Sequence, residues 1–176
     1  LYGTNTTNIK TTADASIRNV SKTTDASGAL INSTDDGGTI AYTYHSCGKP
    51  KQITAPDGAL TTMAYDNFGR QTTLNDPDAG QMAYDYNILG ELVLQQDAKG
   101  NTYGMNYDQL GRLITKMDIV SAQAIQTVYD TKPNGIGMIA SVTANVNNYI
   151  STQEYFYDTY SRVQSITEFI DNNDYT

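Results

Sequence analysis

The chain of 176 residues carries a net charge of −8, 14 tyrosines against 3 phenylalanines, no tryptophan and one cysteine. Its few basic residues argue against nucleic acid, which needs Lys and Arg to neutralise phosphates. No apolar run approaches the roughly 20 residues of a membrane span, and a single cysteine closes no internal disulfide.

The length is enough for one domain with a sizeable core. Apolar surface is carried largely by a ring with a polar tip, which suits half-buried positions on a sheet face. No charged-then-apolar leader opens the chain, and both ends lie in polar text, as expected of a piece of a longer protein.

Residues 1–24, LYGTNTTNIKTTADASIRNVSKTT, are rich in Thr, Asn and Ser. Asn5-Thr6-Thr7, Asn19-Val20-Ser21 and Asn32-Ser33-Thr34 fit the glycosylation sequon, but text of this composition produces such triplets by chance. A polar edge segment or degenerate repeat is the preferred reading.

From Asp25 to Asp118 the chain is regular. Gly28 to Gly38, Gly48 to Gly58 and Gly90 to Gly100 are each 10 apart, and Gly69 to Gly80 is 11. Turn signals at this spacing predict short antiparallel strands. Met82, Tyr84 and Tyr86 alternate with Gln81, Ala83 and Asp85. Tyr103, Met105 and Tyr107 alternate likewise with Thr102, Gly104 and Asn106. That is the period of a strand. The residues two before the recurring tyrosine, Tyr42, Met63, Tyr84, Met105 and Tyr155, are expected to stack side by side as an apolar ladder.

The period itself is longer. Tyr65, Tyr86 and Tyr107 are 21 residues apart, as are Gly69, Gly90 and Gly111, and one step back lands on Tyr44 and Gly48. Such a period marks a repeat architecture in which each unit buries its apolar face against its neighbours. In Asp66-Asn67-Phe68-Gly69 and Asp108-Gln109-Leu110-Gly111 the acid can hydrogen-bond the turn backbone while the glycine takes a positive φ. Arg70 and Arg112 then start the return strand. Cys47, Phe68, Leu89 and Leu110 precede the glycine, and each is expected to reach over a neighbouring repeat.

Residues 119–176 keep the text but lose the spacing. Tyr129-Asp130 and Tyr157-Asp158 follow at intervals of 22 and 28, which predicts longer loops in one continuous array. Glu91 replaces the arginine, Asn87 and His45 replace the acid, and Ser161 replaces the glycine.

The sequence Tyr-Asp-x-x-Gly-Arg at Tyr65–Arg70 and Tyr107–Arg112, with the degenerate copy from Tyr157 and Asp158 to Arg162, resembles the YD repeat of RHS-repeat proteins. These include insecticidal toxin-complex shells, polymorphic Rhs toxins, wall-associated bacterial proteins and teneurins. The resemblance implies an all-β fold: a curved antiparallel sheet of consecutive hairpins, about 21 residues per repeat, spiralling into a hollow shell. It implies a non-catalytic wall segment around a toxin or other C-terminal cargo, in a secreted or cell-surface protein of bacterial parentage. Its partners would be the remaining repeats and the cargo. The family's self-cleaving segment carries Asp-Pro-x-Gly, which Asp76-Pro77-Asp78-Ala79-Gly80 resembles only superficially, since it fills an ordinary turn slot.

Chemical alternatives compete with this reading. His45-Ser46-Cys47 suggests a metal or nucleophile, yet there is no second His or Cys to complete a zinc site or triad. Asp76, Asp97 and Asp118 recur every 21 residues, which points to turn chemistry rather than to two carboxylates facing one sugar. Asp35, Asp36, Asp76 and Asp78 lie near glycines as calcium ligands can, but no calcium-loop motif is present, and no metal or cofactor is expected. Aligned tyrosines allow glycans as alternative partners, in an adhesion module. Open sheet edges allow self-association.

Overall fold

The computed structural model describes residues 3–13, 16–147 and 149–172. Among them are fifteen strands and no helix. They are β1 (Asn5–Ala13), β2 (Ser16–Thr24), β3 (Leu30–Asp35), β4 (Gly38–Tyr44), β5 (Pro50–Thr54), β6 (Leu60–Tyr65), β7 (Gln71–Asp76), β8 (Gly80–Tyr86), β9 (Leu92–Gln96), β10 (Thr102–Tyr107), β11 (Leu113–Asp118), β12 (Ala124–Tyr129), β13 (Ile139–Val146), β14 (Tyr149–Tyr157) and β15 (Val163–Asn172). The chain forms two compact units, Leu1–Ala83 and Tyr84–Thr176, with the boundary inside β8. This division follows contact density and coincides with neither change of repeat regularity, at residue 25 or residue 119.

In the first unit each strand from β1 to β8 pairs antiparallel with the next in chain order. In the second unit the strands from β9 to β15 do the same. All-β architecture built from consecutive hairpins is therefore observed. Short turns leave the chain no route except to the adjacent position in the sheet.

The recurring glycines close the hairpins as their spacing predicts: φ is 76° at Gly69, 89° at Gly90 and 76° at Gly111. A three-residue loop ending in a left-handed residue generates a bulge at the start of the hairpin. The register indeed slips at the motif tyrosines, so that Tyr44 faces Pro50, Tyr65 faces Gln71, Tyr107 faces Leu113 and Tyr157 faces Val163. Among the described residues, the irregular part of the array holds one longer connection, from Asp130 to Met138, where Asp130 N–H donates to the Met138 carbonyl at 3.0 Å.

Three expectations are corrected. The sizeable core is absent: among the described residues only Met105, Gly135, Ala140 and Tyr157 are buried. The chain leaves 12208 Å² accessible, against about 8,400 Å² for a compact monomer of its mass. Strands paired in chain order with no layer across them leave both sheet faces half-buried.

The ladder of residues two before each tyrosine is not continuous, because a return strand stands between successive copies. The direct partners are Tyr42 with Ile53, Met63 with Leu74, Met105 with Lys116 and Tyr155 with Ile166. Lys116 fits among aromatic neighbours by placing its ammonium 5.2 Å from the centre of the Tyr103 ring.

The apolar turn residues do not reach over neighbouring repeats. Phe68, Leu89 and Leu110 are 85%, 79% and 76% exposed, and Cys47 is exposed too. The Phe68 ring instead meets the guanidinium of Arg70 in its own turn, at 5.1 Å.

Candidate functional site

Each regular turn is held by its acid. Asp66 Oδ1 accepts from the backbone N–H of Phe68 and of Arg70, both at 2.9 Å, and Asp66 Oδ2 accepts from Arg70 Nε at 2.6 Å. Asp108 repeats this with Leu110, Arg112 and Arg112 Nε at 2.9, 3.0 and 2.7 Å. Asp158 repeats it with Tyr160, Arg162 and Arg162 Nε at 2.9, 3.0 and 2.8 Å. One carboxylate thus satisfies two turn donors and fixes the first side chain of the return strand. The alternate turn at Asp97 uses the same plan, with Asn101 Nδ2 donating to Asp97 Oδ2 at 2.8 Å in the place of the arginine.

The tyrosine before the acid joins one hairpin to the previous one. Hydroxyls of Tyr44, Tyr107, Tyr129 and Tyr157 donate to the carbonyls of Leu30, Leu92, Leu113 and Ile139 at 2.7, 2.8, 3.1 and 2.7 Å. Each acceptor is the residue that opens the preceding return strand. The ladder has ended there: β9 and β10 pair only as far as Leu94 with Gly104. The hydroxyl therefore supplies a donor to a half-buried carbonyl where the strands have parted. Tyr65 and Tyr86 end β6 and β8 in the same slot. Gly48, at φ 81°, closes the turn after Tyr44.

Arg112 also reaches the next hairpin. Besides Asp108 it binds Asp130 of the next hairpin with both terminal nitrogens, Nη1 to Oδ1 at 3.1 Å and Nη2 to Oδ2 at 2.6 Å, and its guanidinium lies 4.3 Å from the Tyr129 ring centre. A planar fork matched to a carboxylate and stacked on a ring is chemistry that lysine does not reproduce. The hydrogen bonds from Asp130 and then Asp108 raise the Arg112 pKa. Asp130 is lowered chiefly by Arg112, and Asp108 chiefly by the Arg112 backbone N–H.

Other residues vary the theme. Lys49 lies 5.4 Å from the Tyr65 ring centre and donates to the Gly69 carbonyl, while His45 meets the Tyr65 ring edge-on at 5.5 Å. Lys132 pairs with Glu154 at 3.0 Å and sits 4.5 Å from the Phe156 ring centre. Sequence reasoning singled out neither lysine, although Lys49 stands in the arginine slot of its turn, 21 residues before Arg70. Among the described residues no three His, Cys, Asp or Glu side chains converge on a metal position. Asp76 is engaged by Asp78 N–H, Ala79 N–H and the Thr61 hydroxyl at 3.0, 2.9 and 2.9 Å.

Residues 11–130 match the family model described as Teneurin YD-shell. The chain belongs to this family. Its YD-shell membership agrees with the resemblance carried by Tyr65–Arg70 and Tyr107–Arg112. The crystal structure of TcdB2-TccC3 without hypervariable C-terminal region is similar in fold, with a TM-score of 0.70 at 17% identity, covering 90% of this chain and 9% of that one. The TcdB2-TccC3-Cdc42 crystal structure has the same TM-score and identity, with 92% of this chain and 10% of that one covered. This chain thus spans only about a tenth of either structure. No curated protein matches it.

Proposed function

We propose that the chain is a non-catalytic wall segment of a larger secreted or cell-surface YD-repeat shell that encloses a C-terminal cargo. The observation that carries this reading is the contrast between a nearly absent core and a dense set of hairpin-to-hairpin contacts. Only four described residues are buried, yet four tyrosine hydroxyls tie successive hairpins together. An element stabilised by its neighbours along a line, with two half-buried faces, suits a wall better than a free-standing domain.

The acids support a structural role. Asp66, Asp97, Asp108 and Asp158 are held below the usual carboxylate range by hydrogen bonds within their own turns. A general acid needs the opposite shift, toward neutral pH. A glycan-binding surface on aligned tyrosines fits less well, because the hydroxyls of Tyr44, Tyr107, Tyr129 and Tyr157 already serve the backbone. The rings of Tyr65, Tyr103 and Tyr129 already face a cation.

Electron cryomicroscopy of the full-length polypeptide tests the proposal. The expected map places these hairpins in the wall of a closed particle with density inside it. A free-standing, tethered domain with both faces in solvent would overturn it.

A further inference from the structure

The loop between β12 and β13 holds the one Asn-Gly pair of the sequence, Asn134-Gly135. Asn134 is exposed and has a φ of 57°, in the left-handed region, whereas Gly135 is buried. A close approach requires the glycine: a Cβ there would lie 3.0 Å from the Tyr157 ring and 3.1 Å from the Lys132 carbonyl oxygen.

Asparagine followed by glycine is prone to self-modification, because no side chain shields the next backbone nitrogen. That nitrogen can attack Asn134 Cγ. The N–Cγ bond forms, the Cγ–Nδ2 bond breaks, and the leaving amide takes the proton from Gly135 nitrogen and departs as ammonia. Water then opens the cyclic imide at either carbonyl, giving aspartate or isoaspartate. The net change is amide and water to carboxylic acid and ammonia, with no oxidant or reductant.

In the folded chain both partners of this reaction are held. Gly135 N–H donates to the Lys132 carbonyl and the Gly135 carbonyl accepts from Met138 N–H, each at 3.0 Å. Asn134 Nδ2, the leaving group, donates to the Tyr157 carbonyl at 3.5 Å. The loop is pinned on either side of the pair. Lys132 binds Glu154 at 3.0 Å over the Phe156 ring, and Gly137 N–H donates at 2.6 Å to the Asp130 carboxylate, which Arg112 clamps.

We infer that Asn134 is a self-deamidation site guarded by the docking of residues 130–138 on β14, and that its conversion to isoaspartate stops the loop from docking again. Isoaspartate routes the main chain through Cβ and so adds a methylene next to Gly135, where the Tyr157 ring leaves no slack. It also sets a carboxylate against the Tyr157 carbonyl in place of an amide donor. Deamidation thus turns a reversible opening of the loop into a permanent one. Asp36-Gly37 and Asp57-Gly58 carry no amide and release no ammonia. The inference is independent of the wall reading.

The test incubates the chain at mildly alkaline pH, native and in guanidinium chloride, and follows the acid form of the Asn134 peptide by mass and isoaspartate by enzymatic methylation. Native conversion is expected to be at least about tenfold slower than in denaturant, because it waits on loop opening. Lys132→Ala, which unpins the loop without touching the Asn-Gly pair, should speed native conversion and leave the rate in denaturant unchanged. Amide hydrogen exchange at Gly135 and Met138 should rise with it, while unchanged exchange in β10 and β11 controls for folding. In the purified isoaspartate form the same two amides should stay in fast exchange after return to native buffer. Asn134→Asp, which carries the charge without the added methylene, should keep more of their protection. Equal rates in native and denaturing conditions, or a native rate indifferent to Lys132→Ala, overturns the guard. Full protection of Gly135 and Met138 in the isoaspartate form overturns the permanent opening.

Discussion

Asn87 Nδ2 donates to Glu91 Oε2 at 2.6 Å, in the place where Arg112 Nε donates to Asp108 Oδ2. The two departures from the motif are therefore one exchange: donor and acceptor have traded positions. Asn87 Oδ1 still accepts from the N–H groups of Leu89 and Glu91, each at 3.0 Å. Asn87→Asp alone sets two carboxylates against each other and is expected to lower Tm by about 2–4 °C. Adding Glu91→Arg should restore it, as thermal melts of the single and double variants will show.

Gly90 and Ser161 occupy the same turn slot, at φ 89° and 59°. Gly90→Val is expected to cost more than about 1 kcal/mol, since a β-branched residue is strained there. Ser161→Gly should stabilise by up to about 1 kcal/mol by relieving a left-handed non-glycine residue. Urea titrations measure both.

The turns were the most legible part of the sequence, because an acid and a glycine act within a few residues of each other. Gly69, Gly90 and Gly111 could be placed from spacing alone. The clamp was not legible: Arg112 and Asp130 are 18 residues apart, and nothing in the text of one repeat says that its arginine serves the next. The hydroxyl bonds were hidden for the same reason, since Leu92 carries no side-chain signal for accepting from Tyr107. Phe68, Leu89 and Leu110 were misread because apolar character was taken to require cover. In a sheet without a second layer, turn tips can remain in water.

Tyr107→Phe removes the donor to the Leu92 carbonyl and is expected to cost about 1 kcal/mol, whereas Tyr149→Phe, at a side chain 49% exposed, should change little. Burial first, and the Glu91 charge second, raise the Tyr107 pKa above its usual 10.0. A raised folded-state pKa means that its contribution is complete below the unfolded value and is lost as pH rises through the folded one. Alkaline denaturation should therefore be steeper for the native chain than for Tyr107→Phe.

The turn acids predict the opposite limb. Asp97 is lowered first by Asn101 Nδ2, and Asp130 first by Arg112. Depressed values give stability that is present above the unfolded value of 3.8 and is lost as pH falls through the folded values. Tm should hold from neutral pH to about that point and fall below it. Asp97→Asn should shift Tm by no more than about 3 °C at pH 7, as Asn87 shows that an amide can hold the turn, and no turnover should be gained or lost. Calorimetry across pH checks both.

Lys116 and Met117 are adjacent on β11 and both exposed, so their side chains leave opposite faces of the sheet. In a Cys47→Ser background, Lys116→Cys and Met117→Cys can each be labelled with a bulky polymer-linked maleimide, in this chain alone and in the assembled full-length protein. A wall segment predicts that both react in the isolated chain and that only one reacts in the assembly, because the other faces the lumen. Equal labelling of both positions in the assembly would contradict the account.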